Sequence, residues 1–265
     1  MKLKSILTCS LACFSLLAFS QESGVIHYTE IMKPEIEIPE IEGLPEGMEI
    51  DFSEFMPDSI ITYMTLSFNS EASLYTESDT KESTAPGNAS FESMDEHNSV
   101  QISMEIMGEE ETSSIYRSAE RENDIVQTTF MGQKFLVSEK PSEFTWKFHA
   151  DKINYLGYEC SKATTTDKDG LTHVVWYTSQ IPTSIGPSEY KGLPGVILMV
   201  STDDGNYQVK ASHIDLTSSP EIKSPKGGKK VTAEEFEKIQ DQKMKEMEKM
   251  YSGSGDGDNV IIIRN

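Results

Sequence analysis

The chain has 265 residues, with 23 Lys and Arg against 44 Asp and Glu and a formal charge of −21 at pH 7. So acidic a chain excludes nucleic acid as a ligand, because phosphate backbones are bound by a basic face, and it disfavours docking on anionic lipid. Hydrophobic residues make up 37%, and the length suffices for one large β domain or two small ones.

Residues 1–20 read as a signal peptide. Lys2 and Lys4 precede an apolar run from Ile6 to Phe19, and Ala18-Phe19-Ser20 before Gln21 has the spacing of a cleavage site. The run is short for a membrane span, and no later stretch reaches that length, so no integral span is expected once it is removed. Cys9 and Cys13 fall inside it, which leaves Cys160 with no partner for an internal disulfide.

Residues 21–220 are expected to form one β domain. Gly24 to Ile31 reads as its first strand. Residues 33–58 interrupt it with an acidic insertion, where glutamates alternate with isoleucines around Pro34, Pro39 and Pro45. Prolines at that density do not suit a central strand. Strand character returns over Ser59 to Thr76. Residues 80–98 are expected to be a polar loop, with Pro86-Gly87-Asn88 as a turn. Val100 to Met107 alternates again, and Asp124 to Val137 reads as a hairpin closing near Gly132. Phe144, Trp146 and Phe148 alternate with Thr145, Lys147 and His149 as an aromatic strand, and a cavity wall shared with Trp176 is one reading of them.

Tyr158 to Thr164 and Thr172 to Thr178 are expected to pair through the Asp167-Lys168-Asp169-Gly170 turn. The second of these holds Val174, Val175, Trp176 and Tyr177 in succession, so it needs cover on both faces. Gly186-Pro187 breaks the chain. Leu193-Pro194-Gly195-Val196 fits a type II turn that leads into the apolar run Val196 to Val200. Asp203-Asp204-Gly205-Asn206 then turns into a return strand from Tyr207.

Gly192-Leu193-Pro194-Gly195 followed by Val196-Ile197-Leu198 resembles the motif that names the GLPGLI family, exported proteins of Bacteroidota with no assigned activity. Gly157, Tyr158, Cys160, Trp176, Tyr177, Gly186 and Pro187 stand in the order that family shows, and the likeness is strongest from Trp146 to Met199. Val196 replaces the leucine of the name. The resemblance implies a mainly β fold and, because the family is Gram-negative, a periplasmic or secreted location. It implies no catalytic residue.

The remainder, 221–251, reads as a linker and a helix, with Thr232 and Glu235 spaced as a capping box. Residues 252–265 read as a flexible tail whose Val260 to Ile263 forms a terminal strand. The expected fold is mainly β, a curved antiparallel sheet or incomplete barrel with a C-terminal helix.

Three functions are compatible with these residues. The first is a non-catalytic envelope binding or accessory protein that holds a peptide, lipid or protein partner and uses no cofactor. The second is soft-metal handling, since Met244, Met247 and Met250 have the thioether character that copper(I) prefers and Cys160 adds a thiol. Helix packing explains the same methionine spacing. The third is an uncharacterised hydrolase with Cys160 as nucleophile, for which His173 on the facing strand is the best candidate base. A buried small hydrophobe is the plainer reading of that cysteine. Phosphate-binding glycine loops, Gly-x-Ser-x-Gly elbows and His-Glu-x-x-His helices are absent from the sequence.

Overall fold

The computed structural model describes residues 23–33, 58–79, 89–95, 98–107, 114–252 and 258–264. The leader over 1–20 and nearly all of the acidic insertion therefore lie outside the described residues.

The strands in chain order are β1 (Gly24–Met32), β2 (Ile60–Phe68), β3 (Ala72–Glu77), β4 (Ala89–Asp95), β5 (Asn98–Met107), β6 (Ser114–Ser118), β7 (Asp124–Phe130), β8 (Gln133–Glu139), β9 (Lys147–Tyr155), β10 (Tyr158–Thr166), β11 (Thr172–Thr178), β12 (Val196–Thr202), β13 (Tyr207–Asp215), β14 (Lys229–Thr232) and β15 (Asp258–Arg264). The helix among the described residues, α1, spans Ala233–Ser252. Twelve strands form one sheet in the order β14-β8-β7-β6-β3-β2-β1-β13-β12-β11-β10-β9. Every pairing in it is antiparallel except that of β14 with β8. A second sheet has the order β15-β5-β4.

The twelve-stranded sheet is open, with β9 and β14 as its two edges, so the mainly β fold with a C-terminal helix is as expected and the sheet does not close into a barrel. Burial comes from cover rather than closure. The segment 179–195 leaves β11, crosses one face and returns to start β12. Its Ile181, Tyr190 and Leu193 are at most 3% exposed and pack with Ile26, Tyr28, Leu66, Phe68, Val175 and Ile197 in the main core. Full burial of each such side chain contributes roughly 1.5–3 kcal/mol.

Local chemistry explains several elements. The β7–β8, β10–β11 and β12–β13 hairpins close at Gly132, Gly170 and Gly205. Thr232 and Glu235 form a reciprocal capping box, with Thr232 N–H donating to Glu235 Oε2 at 2.8 Å and Glu235 N–H donating to Thr232 Oγ1 at 3.2 Å. The helix then lays Phe236 and Ile239 on Phe135, Val137 and Val231, a small second core at the β14 edge.

Three local expectations change. The aromatic strand begins only at Lys147, so Phe144 and Trp146 precede β9. Trp146 donates its indole N–H to Lys191 O at 2.9 Å and stacks on Phe144, an arrangement outside a ladder. The turn before β12 is not type II. Gly195 N–H donates to Leu193 O at 2.8 Å, a three-residue turn about Pro194, and Gly195 has φ +153° rather than the value near +80° that a type II turn requires. Finally, the polar stretch 80–98 contains β4, whose residues 89–95 pair with β5. Regular pairing in a partner strand overrode its weak composition.

Candidate functional site

The segment 179–195 is held by a polar seam that continues the apolar core. Val196 N–H donates to Ile181 O at 3.1 Å and Ile197 N–H to Ile185 O at 3.0 Å. Gly195 permits the close return, because a Cβ there would lie 2.1 Å from Thr178 O. Gly192, at φ +91°, turns the chain beside the Trp146 indole. Leu193 is 1% exposed. The Gly-Leu-Pro-Gly run is therefore a clasp that seats β12 and fixes Lys191 immediately before it.

Two polar clusters lie beneath this crossing. In the first, Tyr190 Oη and His173 Nδ1 are 2.9 Å apart, and His173 Nε2 is 3.1 Å from Asp167 Oδ2. The bond to His173 holds the Asp167 carboxyl below its usual range. Burial and the acidic side chains nearby push the Tyr190 phenol well up, so it stays protonated and serves as a staple rather than a nucleophile. Phe144 stacks on its ring at 5.4 Å. In the second cluster, Glu30 accepts hydrogen bonds from Tyr75 Oη and, at 3.4 Å, from Tyr207 Oη. Burial raises the Glu30 pKa more than these two donors lower it.

The seam ends at Arg117 on β6, which stands in register with Ser73 on β3. Its Nε–H donates to Asp124 Oδ2 at 3.0 Å and its Nη2–H to Ser188 O at 2.6 Å. Ser188 takes φ +48° to present that carbonyl, a conformation costing roughly 1–2 kcal/mol in a residue with a Cβ. The Arg117 side chain is only 10% exposed. Among the described residues its Nη1 is the buried side-chain nitrogen or oxygen without a hydrogen-bond partner, a shortfall of about 1–3 kcal/mol. Arg117 lines a pocket of about 280 Å³ between the β2–β3 turn, β6 and the crossing segment, shared with Asn69, Arg121, Asp124, Ile185 and Lys191.

The residues expected from sequence lie mostly outside this pocket. Gly157 makes the β9–β10 turn at φ +86°, and Tyr158 and Trp176 pack partly buried against the main core. Tyr177 is 9% exposed. Gly186 is buried where a Cβ would meet Ile197 Cβ at 2.8 Å, with Pro187 buried beside it. Phe148 is 58% exposed, and neither it, Trp146 nor Trp176 lines this pocket.

Cys160 is 0% exposed, and burial pushes its thiol up to about 11. The cross-strand partner of His173 is Thr165. Cys160 lies five residues further along β10, roughly 16 Å at 3.3 Å per residue, so the cysteine–histidine pair does not form. Met244 and Met247 sit half-buried on α1, which packs on β8 and β14 at the far end of the sheet from Cys160. Among the described residues no three His, Cys, Asp or Glu side chains gather as metal ligands.

Arg117 has a faint signal in the sequence: one cation in a short strand, with Asp124 at the start of the next. That signal is common on exposed hairpins, and nothing local marks this pair as buried.

Residues 167–199 match the model of a family described as a protein of unknown function (Porph_ging). That segment runs from the β10–β11 turn through the crossing into β12, and so includes His173, Tyr190 and Lys191. No curated protein matches the sequence. Solved structures with a similar backbone include PNGF-II in two crystal forms, at 14% and 15% identity with TM-scores of 0.47 and 0.44. Each comparison covers 82% of this chain, which spans about one third of PNGF-II, 33% and 32% of the two chains. An uncharacterised conserved protein from Thermus thermophilus is similar over 80% of this chain and 91% of its own, at 7% identity and a TM-score of 0.39.

Proposed function

We propose that this is a non-catalytic binding or accessory protein of the Bacteroidota cell envelope, exported to the periplasm or beyond, whose ligand site is the pocket under the crossing segment. The observation that carries this reading is the Arg117 guanidinium. It is nine-tenths buried, fixed by Asp124 and the Ser188 carbonyl, and its Nη1 has no protein partner, in a residue that lines the pocket. Buried donors are ordinarily satisfied, and a preformed pocket with a few convergent polar groups is the usual form of a ligand site.

The leader-like residues 1–20 and the family match over 167–199 support the compartment. No helix among the described residues is long and apolar enough to cross a membrane. Catalysis is disfavoured because the thiol is buried with a raised pKa and lies far from His173.

Native mass spectrometry of the protein isolated from its own cells tests the reading. A co-purifying small-molecule mass that is lost in Lys191→Met is expected. Identical bare masses for both proteins would end it.

A further inference from the structure

We propose that the pocket binds a small monocarboxylate with a short apolar body, such as the end of an N-acylated amino acid, held between Nη1 of Arg117 and the ammonium of Lys191. This rests on the reading above and names the ligand class of the same site.

The charges around the pocket select the class. Arg117, Arg121 and Lys191 face Glu71 and Asp124, an excess of one positive charge in a chain of formal charge −21. One added carboxylate balances the site. A dianionic phosphate overfills it and meets both acidic side chains. Asp124 already takes Nε of Arg117 and Ser188 O takes Nη2, so Nη1 offers one strong charge-assisted bond rather than a two-pronged grip on a second anion.

Lys191 supplies the second contact. Burial lowers its pKa, and the nearby Arg117 charge lowers it further against the opposing pull of Asp124. A bound anion relieves both penalties on the ammonium. Lys191 is also the movable part: its four-carbon stem is flexible, whereas Arg117 is pinned at two nitrogens. Movement of that stem is the proposed route by which the carboxylate reaches the buried Nη1.

Size and lining set the rest. About 280 Å³ falls just below the usual range of ligand pockets, roughly 300–1,000 Å³, and does not house an acyl chain. Ala72, Pro141 and Ile185 give the wall an apolar part, and Ser70, Ser118 and Thr183 carry hydroxyls for an amide or a water. This argues for a short acid with an amide rather than for a lipid.

Isothermal titration of the full chain with three probes tests the assignment: N-acetylalanine, N-acetylalaninamide and inorganic phosphate, at fixed ionic strength. N-acetylalanine is expected to bind at one site, with the amide and phosphate at least tenfold weaker. Lys191→Met and Arg117→Lys are each expected to weaken N-acetylalanine about tenfold or more, the loss of one charge-assisted bond. Arg117→Lys keeps a cation opposite Asp124 and so guards against unfolding, and circular dichroism confirms that both variants fold. Equal binding of acid and amide, or phosphate binding better than the acid, overturns the carboxylate assignment and leaves the pocket as a ligand site. Silence of all three probes also overturns the assignment, and the pocket then stands or falls on the co-purifying mass.

Discussion

Replacing Gly195 with alanine tests the clasp that holds the crossing segment. The new Cβ would lie 2.1 Å from Thr178 O and 2.8 Å from Ser179 N, inside the 3.0 Å that Cβ atoms keep. Both contacts are backbone, so no side chain can rotate away. Overpacking of this kind costs about 1–3 kcal/mol, and a Cβ at unfavourable positive φ adds roughly 1–2 kcal/mol. The expected loss is therefore about 2–5 kcal/mol, or about 4–20 °C in Tm for a domain of this size. Gly132→Ala is the matched control: Gly132 also has positive φ, +72°, but a Cβ there has nothing within 4 Å, so only the roughly 1–2 kcal/mol conformational cost applies. Urea unfolding followed by the fluorescence of Trp146 and Trp176 measures both. Equal losses in the two variants would refute the argument from close approach.

Other outcomes follow from the same geometry. In a chain starting at Gln21, Cys160 should resist iodoacetamide in the folded state up to its raised pKa of about 11, and react fully in denaturant. Prompt reaction of the native protein would place the thiol at the surface. Glu30 has a folded pKa raised by burial. Its contribution to stability is then fully present below the ordinary carboxylate range and is lost as pH rises through the raised value. Glu30→Gln should accordingly fare better relative to the parent at pH 7 than at pH 4, in urea melts at both, and the opposite order would contradict the sign. Tyr190→Phe removes the hydroxyl bonded to His173 and should cost about 0.5–1.5 kcal/mol, and the double variant with His173→Gln, which also disturbs the Asp167 contact, should lose less than the sum of the two single losses. Full additivity would mean that the two do not interact. Thr232→Ala should cost about 1 kcal/mol through the lost cap, read as a fall in helical circular dichroism.

The sequence reveals what is local in this fold and conceals what is not. Turns at Gly132, Asp167 to Gly170 and Asp203 to Asn206 join alternating runs, so three hairpins can be read directly from turn chemistry. The Thr232–Glu235 box marks the start of α1 for the same reason. The pairing of β1 with β13 joins residues such as Ile26 and Ile214, and the parallel pairing of β8 with β14 joins residues as distant as Phe135 and Lys229. No local pattern encodes either, and with them goes the difference between an open sheet and a barrel. The candidate site lies in this non-local part. Arg117 and Lys191 come together only because β6 pairs with β3 and the crossing segment folds back over the same face. The motif around Gly192 to Gly195 is conspicuous in the sequence, but its residues serve the backbone path, and the charged neighbour that they position is the one that faces the pocket.

The most direct test is the Arg117 side-chain signal in nitrogen–proton NMR, followed as N-acetylalanine is added. A saturable shift of that signal, needing at least about tenfold more ligand with the amide or in Lys191→Met, is the predicted result. An unmoved Arg117 signal while other residues respond would contradict the account.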